Sequence, residues 1–399
     1  MSSQRSIAIV GAGLGGLVCA RVLQLQNIPV IIYEREPTPT SRQQGGSLDM
    51  HSDSGFKALQ MAQLVDEFKK IARYEDQNMK IGWMARFTLR TSKCRPRSRS
   101  KIGPRRIEHC YARSYWTRCN PAQSVTQDDR NKPTLHFLDT ALEPVTHDFV
   151  IGADGSWSRV RPTLSPTVPM YSGVTFVDLF LADITAKTHP ELAAFVQPGM
   201  AMVLGDNKAV IAQRNSNDVV RVYAALRKPL AWLDEVGLTE GKEGAAQEVL
   251  LREFAGWCPQ ATGWLRVPCE SIAVRPLYTF KRHAWAANPG VTILGDAAHS
   301  MVPFAGEGAN LAMLDGAELA TLVAKNISAT PGVWLKAIKG FEAQMQRRAV
   351  TMSDESMKHM GTMIAEGDAA ARAGTMMRRM MMVANAWKFV RKSLFGWIG

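Results

Sequence analysis

The residues Gly11-Ala12-Gly13-Leu14-Gly15-Gly16 restrict the fold more than any other part of the chain, because of what stands on either side of them. Ser6-Ile7-Ala8-Ile9-Val10 before them is a short apolar, β-branched run, and Leu17, Val18, Ala20, Val22 and Leu23 after them can share one side of a helix. A second apolar run, Ile28-Pro29-Val30-Ile31-Ile32-Tyr33, ends in Glu34, 23 residues after Gly11. The pattern spells strand, tight turn, helix and strand, with an acid at the end. In such a unit Gly11 allows the turn, Gly13 lets backbone approach a pyrophosphate, and Gly16 brings helix against strand. The helix N-terminus offers unpaired N–H groups and a positive dipole end to phosphates, and Glu34 is placed to accept hydrogen bonds from a ribose. A dinucleotide-binding α/β unit is predicted, and the fingerprint leaves open which dinucleotide it takes.

Later segments return to the same theme. Phe149-Val150-Ile151-Gly152-Ala153-Asp154-Gly155 reads as a buried strand ending in Asp-Gly, and Gly290-Val291-Thr292-Ile293-Leu294-Gly295-Asp296 as another, followed by helix from Leu311 to about Lys325. Between them Thr175 to Ile184, Ala201 to Leu204, Ala209 to Gln213 and Val219 to Leu226 predict an antiparallel sheet that interrupts the nucleotide-binding domain. The expected division is 1–165 with 270–330, an inserted domain 166–269, and C-terminal helices 331–399.

Composition excludes several alternatives. With 46% hydrophobic and 21% charged residues over 399 positions, the chain is neither disordered nor fibrous. No apolar stretch is long enough to span a bilayer and no leader precedes the first strand, so a cytoplasmic protein is expected. Six cysteines without CxxC pairs predict free thiols and no metal site. The net charge of +12 suggests nucleic-acid binding until it is located: Arg86 to Arg118 holds eleven Lys or Arg against Glu108, and the rest of the chain is nearly balanced. No nucleic-acid partner is expected.

Three motifs taken together carry a resemblance. They are Gly11 to Gly16 with Glu34-Arg35; Asp154-Gly155-Ser156-Trp157-Ser158-Arg159-Val160-Arg161 after its strand; and Gly295-Asp296-Ala297-Ala298-His299 with Pro303-Phe304-Ala305-Gly306-Glu307-Gly308-Ala309-Asn310. In order and spacing they resemble the single-component FAD-dependent aromatic hydroxylases, the group of para-hydroxybenzoate and salicylate hydroxylases. Arg42-Gln43-Gln44-Gly45-Gly46-Ser47-Leu48-Asp49-Met50-His51, with Ser54-Gly55 and Ala58-Leu59, is most similar to the tetracycline-inactivating, TetX-like branch.

The resemblance implies a Rossmann-like FAD-binding domain with a mixed sheet, an inserted antiparallel β substrate domain and a C-terminal helical segment. It implies FAD held by Gly11, Gly13, Gly16, Glu34 and Arg35, with Arg42 and Asp49 nearby. Asp154 and Gly155 would serve both FAD and the electron donor, NADPH or NADH. Gly295 and Asp296 would meet the flavin-side ribose or ribityl, and Pro303 and Gly306 would sit beside the isoalloxazine. Gly308, Ala309 and Asn310 open a helix, so their N–H groups would face the N1 and O2 edge, where reduced flavin is negative. The implied activity is NAD(P)H-consuming hydroxylation of an aromatic or polyketide-like small molecule by O2 through flavin C4a-hydroperoxide, in secondary metabolism or xenobiotic modification. Such catalysis rests on cofactor position and water exclusion, so no triad is sought and His299 reads as a structural hydrogen-bonder. Rival readings are a flavin oxidase or epoxidase, and a catalytically defective flavin-fold binding protein.

Phe180, Gln213, Arg221 and Tyr223 are expected on the inner face of the inserted sheet as substrate contacts, with Phe304 in pocket lining or core. The positions that hold the drug's polar edge in the tetracycline branch fall near Leu181, Asn207 and Val222, which are apolar or different, so another aromatic or polyketide-like substrate is expected. Residues 86–133 depart from the family's composition at a normal length, which predicts a locally shifted reading frame or a mispredicted splice there. The alternative is a real basic segment that binds something acidic. The end of the chain, Met376 to Ile398, is basic and amphipathic, and packs on its own domains or makes weak membrane contact.

Overall fold

The computed structural model describes residues 5–38, 41, 46–73, 121–238 and 245–367, and the backbone alone at 77–83, 91–94, 101–102, 117–118 and 243–244. Arg42, the side chains of the basic Arg86 to Arg118 segment and the Met376 to Ile398 end therefore lie outside the described residues. In chain order the elements used below are β1 (Ile7–Val10), α1 (Leu14–Leu25), β2 (Val30–Tyr33), α2 (Gly55–Met61), β3 (Phe149–Gly152), β4 (Met170–Leu181), β5 (Gly199–Gly205), β6 (Lys208–Arg214), β7 (Val220–Arg227), β8 (Ser271–Thr279), β9 (Val291–Ile293), α3 (Gly308–Asn326) and α4 (Pro331–Met363).

The chain divides into two units. The first takes Met1–Glu75, Pro96–Ser172 and Leu277–Met357, and the second Asp76–Arg95, Gly173–Pro276 and Lys358–Gly399. The changeovers after Ser172 and at Pro276 fall inside β4 and β8.

In the first unit β9, β3, β1, β2 and Thr117–Arg118 lie side by side in that order, all parallel. β1 and β3 are buried along their whole length, which is why each reads as an unbroken apolar run rather than an alternation. α1 and α3 meet at two glycines: a methyl on Gly316 would stand 2.2 Å from the Gly15 carbonyl oxygen. Farther on, Trp334, Ile338, Phe341, Met345 and Ala349 give α4 a buried stripe, and the Trp334 indole donates to the Pro289 carbonyl at 2.8 Å.

The second unit is built on the sheet β8, β4, β7, β6, β5, Gln77–Trp83, Thr91–Cys94. β4 to β7, β7 to β6 and β6 to β5 pair antiparallel, while β5 runs parallel to Gln77–Trp83. Alternation sorts the side chains. Val177, Leu179, Leu181, Val210, Ala212, Val220, Val222, Ala224 and Leu226 pack into one core with Phe254 and Trp264. Each such large apolar group stabilises by about 1.5–3 kcal/mol on burial. Phe176, Asp178, Phe180, Gln213, Arg221 and Tyr223 occupy the alternate positions and so share the opposite face. Leu181 and Val222 thus belong to the apolar core and not to the face that carries the substrate candidates, so their apolar character says nothing about a tetracycline.

Candidate flavin site

The glycine turn shows which of its requirements come from the protein itself. Gly11 has φ +103°, and a methyl there would stand 2.4 Å from the Ala153 carbonyl oxygen; one on Gly16 would stand 2.2 Å from the Gly11 carbonyl. At Gly13 the nearest atom to such a methyl is 4.0 Å away. Nothing among the described residues requires glycine at Gly13, and its lack of a side chain leaves room for a ligand to approach the backbone. Glu34 closes the turn: the Ala12 N–H donates to its Oε2 at 2.6 Å, and the N–H groups of Arg35 and Glu36 donate to Oε1 at 2.6 and 2.8 Å. Arg35 is well exposed and reaches Glu36 at 3.8 Å.

Two helices present bare N-termini. Gly13 precedes α1 and Glu307 precedes α3 as the N-cap residues, and neither helix has a side-chain cap or an acid in its first turn. The N–H groups of Gly308, Ala309 and Asn310 find no acceptor among the described residues. Pro303 opens a short 3₁₀ turn before α3, and Gly306 ends it in the left-handed region at φ +70°. The buried Asn310 side chain holds backbone, with Nδ2 donating to the carbonyls of Asp49 (2.9 Å) and Gly306 (3.2 Å) and Oδ1 accepting from the His51 N–H at 3.1 Å. Its backbone N–H, not its amide, is the group available to a ligand.

Two carboxylates stand at strand ends. Asp154 Oδ2 accepts from the Arg159 N–H at 2.6 Å, while Oδ1 is buried with no partner among the described residues. Burial raises its carboxyl above the ordinary value, against the opposing pull of Ser158 and the Arg159 N–H. Gly155 beside it has φ +79° and open space around it. Asp296, after Gly295 (φ +57°), is exposed, yet the surrounding protein desolvates its carboxyl enough to raise it, with His299 pulling the other way.

The donor set fits FAD. Two uncapped helix N-termini suit a pyrophosphate and an electron-rich ring edge, while Glu34, the orphaned Asp154 oxygen and Asp296 suit hydroxyl groups. The comparisons agree. The model of a family described as FAD binding domain matches residues 4–352. The chain belongs to that family.

Among curated relatives, the chain is 27% identical to the monooxygenase asqM of Emericella nidulans, over 89% of this chain and 94% of that protein. It is 28% identical to the monooxygenase penA of Penicillium thymicola, over 80% and 84%. Its fold is similar to that of Klebsiella pneumoniae HpxO complexed with FAD and uric acid, with a TM-score of 0.73, 19% identity, and coverage of 92% and 91%. The protein is an FAD-dependent monooxygenase of the aromatic hydroxylase type.

An ionic cluster that the sequence does not announce joins α3, α4 and the residues after β9 in this monooxygenase. His299 Nε2 meets Asp315 Oδ2 at 2.6 Å, Arg348 donates to Asp315 Oδ1 at 3.0 Å, and the Gly295 N–H reaches Oδ2 at 3.3 Å. His299 and Asp315 are both buried. Burial alone would lower the His299 imidazole, but the Asp315 carboxylate outweighs it and holds the group above its ordinary value. A group so raised stabilises fully below its unfolded pKa and loses that contribution as pH rises through its folded one. The apparent melting temperature of the FAD-loaded protein is therefore expected to fall from about pH 6.5 upward, more steeply than in His299→Gln. Equal slopes in the two proteins would remove His299 as the cause.

In the second unit the substrate candidates gather around one carboxylate. Asp178, 1% exposed at its side chain, takes Arg221 Nη2 in an ion pair, Arg221 Nε at 3.1 Å and Arg275 Nε at 3.3 Å. The Phe180 ring lies 5.9 Å from the Arg221 guanidinium carbon, and Tyr223 stands 5.6 Å from Phe176. Gln213 is directly opposite Arg221 in the β6–β7 register. Phe304, half-buried, belongs to the other unit. Asp178 and Arg275 were not singled out from the sequence, where an acid inside an apolar strand carries no sign of its partner.

Proposed function

We propose that this monooxygenase hydroxylates an aromatic or polyketide-like small molecule with O2, drawing electrons from NADPH or NADH, in secondary metabolism or xenobiotic modification. The observation that carries the proposal is the pair of bare helix N-termini, α1 directly after β1 and α3 in the segment that follows β9, in a chain whose parallel strands β3 and β9 lead into Asp154 and Asp296. The α1 N–H groups bind the pyrophosphate, Gly13 gives it room, and Glu34 takes the adenosine ribose. Asp154 and Asp296 orient the remaining hydroxyls, and the α3 N–H groups hold the electron-rich flavin edge. Bound FAD supplies the oxygen-activating redox chemistry.

For the substrate, the Asp178 face supports a planar ring with an acidic oxygen. It carries three aromatic rings, and its two guanidiniums exceed its one carboxylate by a positive charge. Arg275 makes only its Nε bond to Asp178 among the described residues, which leaves its terminal N–H groups for an anion. The relatives asqM and penA, both named monooxygenases, support oxygen transfer as the reaction. The expected result is that the purified protein shows two flavin absorbance bands, that NADPH or NADH bleaches them without air, and that an acidic aromatic compound speeds the bleaching. Retained flavin that neither nicotinamide donor reduces, with or without such compounds, would overturn the proposal.

A further inference from the structure

We propose that His51, with Ser54, is a positioning residue: it draws the Glu307 carboxylate off the N-terminus of α3 and reserves that terminus for the flavin. The inference rests on the placement of the flavin edge at α3 given above. Glu307 stands one residue before a 19-residue helix whose first N–H groups lack an acceptor. A carboxylate there is attracted to those N–H groups and to the positive end of the dipole. Instead Glu307 Oε1 is held by His51 Nδ1, and Oε2 lies 3.4 Å from the Ser54 hydroxyl.

The segment that delivers His51 is itself fastened to α3. Asn310 bridges the Asp49 carbonyl, the His51 N–H and the Gly306 carbonyl. Behind it, a methyl on Gly55 would stand 2.1 Å from Asn310 Oδ1, so α2 starts hard against α3. His51 is thus fixed on the same side chain that shapes the turn before α3, 256 residues away in sequence from its partner Glu307. The His51 and Glu307 side chains are 15% and 18% exposed, so water competes for their contact only in part. Released, the Glu307 carboxylate would occupy the α3 N–H groups and repel the anionic edge of reduced flavin. Held by His51, it does neither.

The test is the flavin midpoint potential and FAD dissociation constant of the full-length FAD-loaded protein, compared with His51→Ala, Glu307→Gln and the double variant. His51→Ala is expected to weaken reduced flavin relative to oxidised by about tenfold, a fall of about 30 mV for this two-electron couple. Glu307→Gln in the same chain restores the wild-type potential, because no carboxylate is left to release. If His51 serves only packing, the double variant stays as impaired as His51→Ala, and the proposal fails. It fails equally if His51→Ala leaves the potential unmoved. Should His51→Ala not retain FAD, recovery of loading on adding Glu307→Gln supports the latch, and continued failure overturns it. Ala309→Asp separates the underlying placement: a fixed carboxylate there lowers the potential only if the flavin edge meets α3. A silent Ala309→Asp removes that placement, whereas a shifted Ala309→Asp beside a silent His51→Ala removes the latch alone.

Discussion

Gly11→Ala is expected to destabilise the fold severely, whereas Gly13→Ala spares the fold and weakens flavin binding. The two glycines are two residues apart in one motif, yet the structure separates their roles. At Gly11 an alanine methyl meets the backbone oxygen of Ala153 at 2.4 Å, and the backbone must also hold φ +103°. Ala153 follows β3 and its N–H donates to the Val10 carbonyl at 2.7 Å, so relief would pull apart the pairing of the two central strands. Strain and clash together should cost about 3–5 kcal/mol, a large share of the 5–15 kcal/mol typical of a folded domain. Gly13 has φ −70° and ψ 176°, which alanine adopts freely, and its methyl would have no close neighbour. Its apoprotein should melt within about 0.5 kcal/mol of wild type while FAD binding weakens tenfold or more, about 1.4 kcal/mol. Thermal melts and fluorescence titration with FAD read both quantities. Wild-type affinity in Gly13→Ala would mean that no pyrophosphate passes over that residue.

Asp178→Ala should be the most damaging single change in the second unit. It leaves Arg221, 3% exposed, without its carboxylate, and removal of one partner of a buried pair costs about 3–5 kcal/mol. Arg275→Ala should cost under about 1 kcal/mol, because its side chain is 38% exposed and water replaces much of what the pair supplies. Replacing Asp178 and Arg221 together by apolar residues of similar volume should recover most of the loss, since no buried charge then remains. Urea unfolding of the four proteins measures these differences. A cost below about 1 kcal/mol for Asp178→Ala would show that water reaches this face and solvates the stranded guanidinium.

The two predictions draw on different kinds of information. Gly11, Gly16 and the βαβ unit were legible because a tight turn, a helix period and a buried parallel strand each impose a local rule on residue type. The same holds for the alternation that sets Phe180 and Arg221 apart from Leu181 and Val222, although strand register was needed to apply it to individual residues. Asn310 was legible as part of a helix start, but the use of its side chain was not: the amide serves Asp49, His51 and Gly306, and the backbone N–H has no acceptor among the described residues.

The sequence by itself determined the order of strands and helices, the dinucleotide turn, the Asp-Gly strand ends and the inserted antiparallel sheet, because dihedral preference and hydrophobic period act between near neighbours. Tertiary structure alone decided that His299 rests on Asp315 and Arg348, that Asp178 collects two arginines, and that His51 holds Glu307. These partners are ordinary polar residues with no local signature. Charge pairing depends on distance in space, and only the packed sheets and helices bring positions so far apart in the chain within a few ångströms.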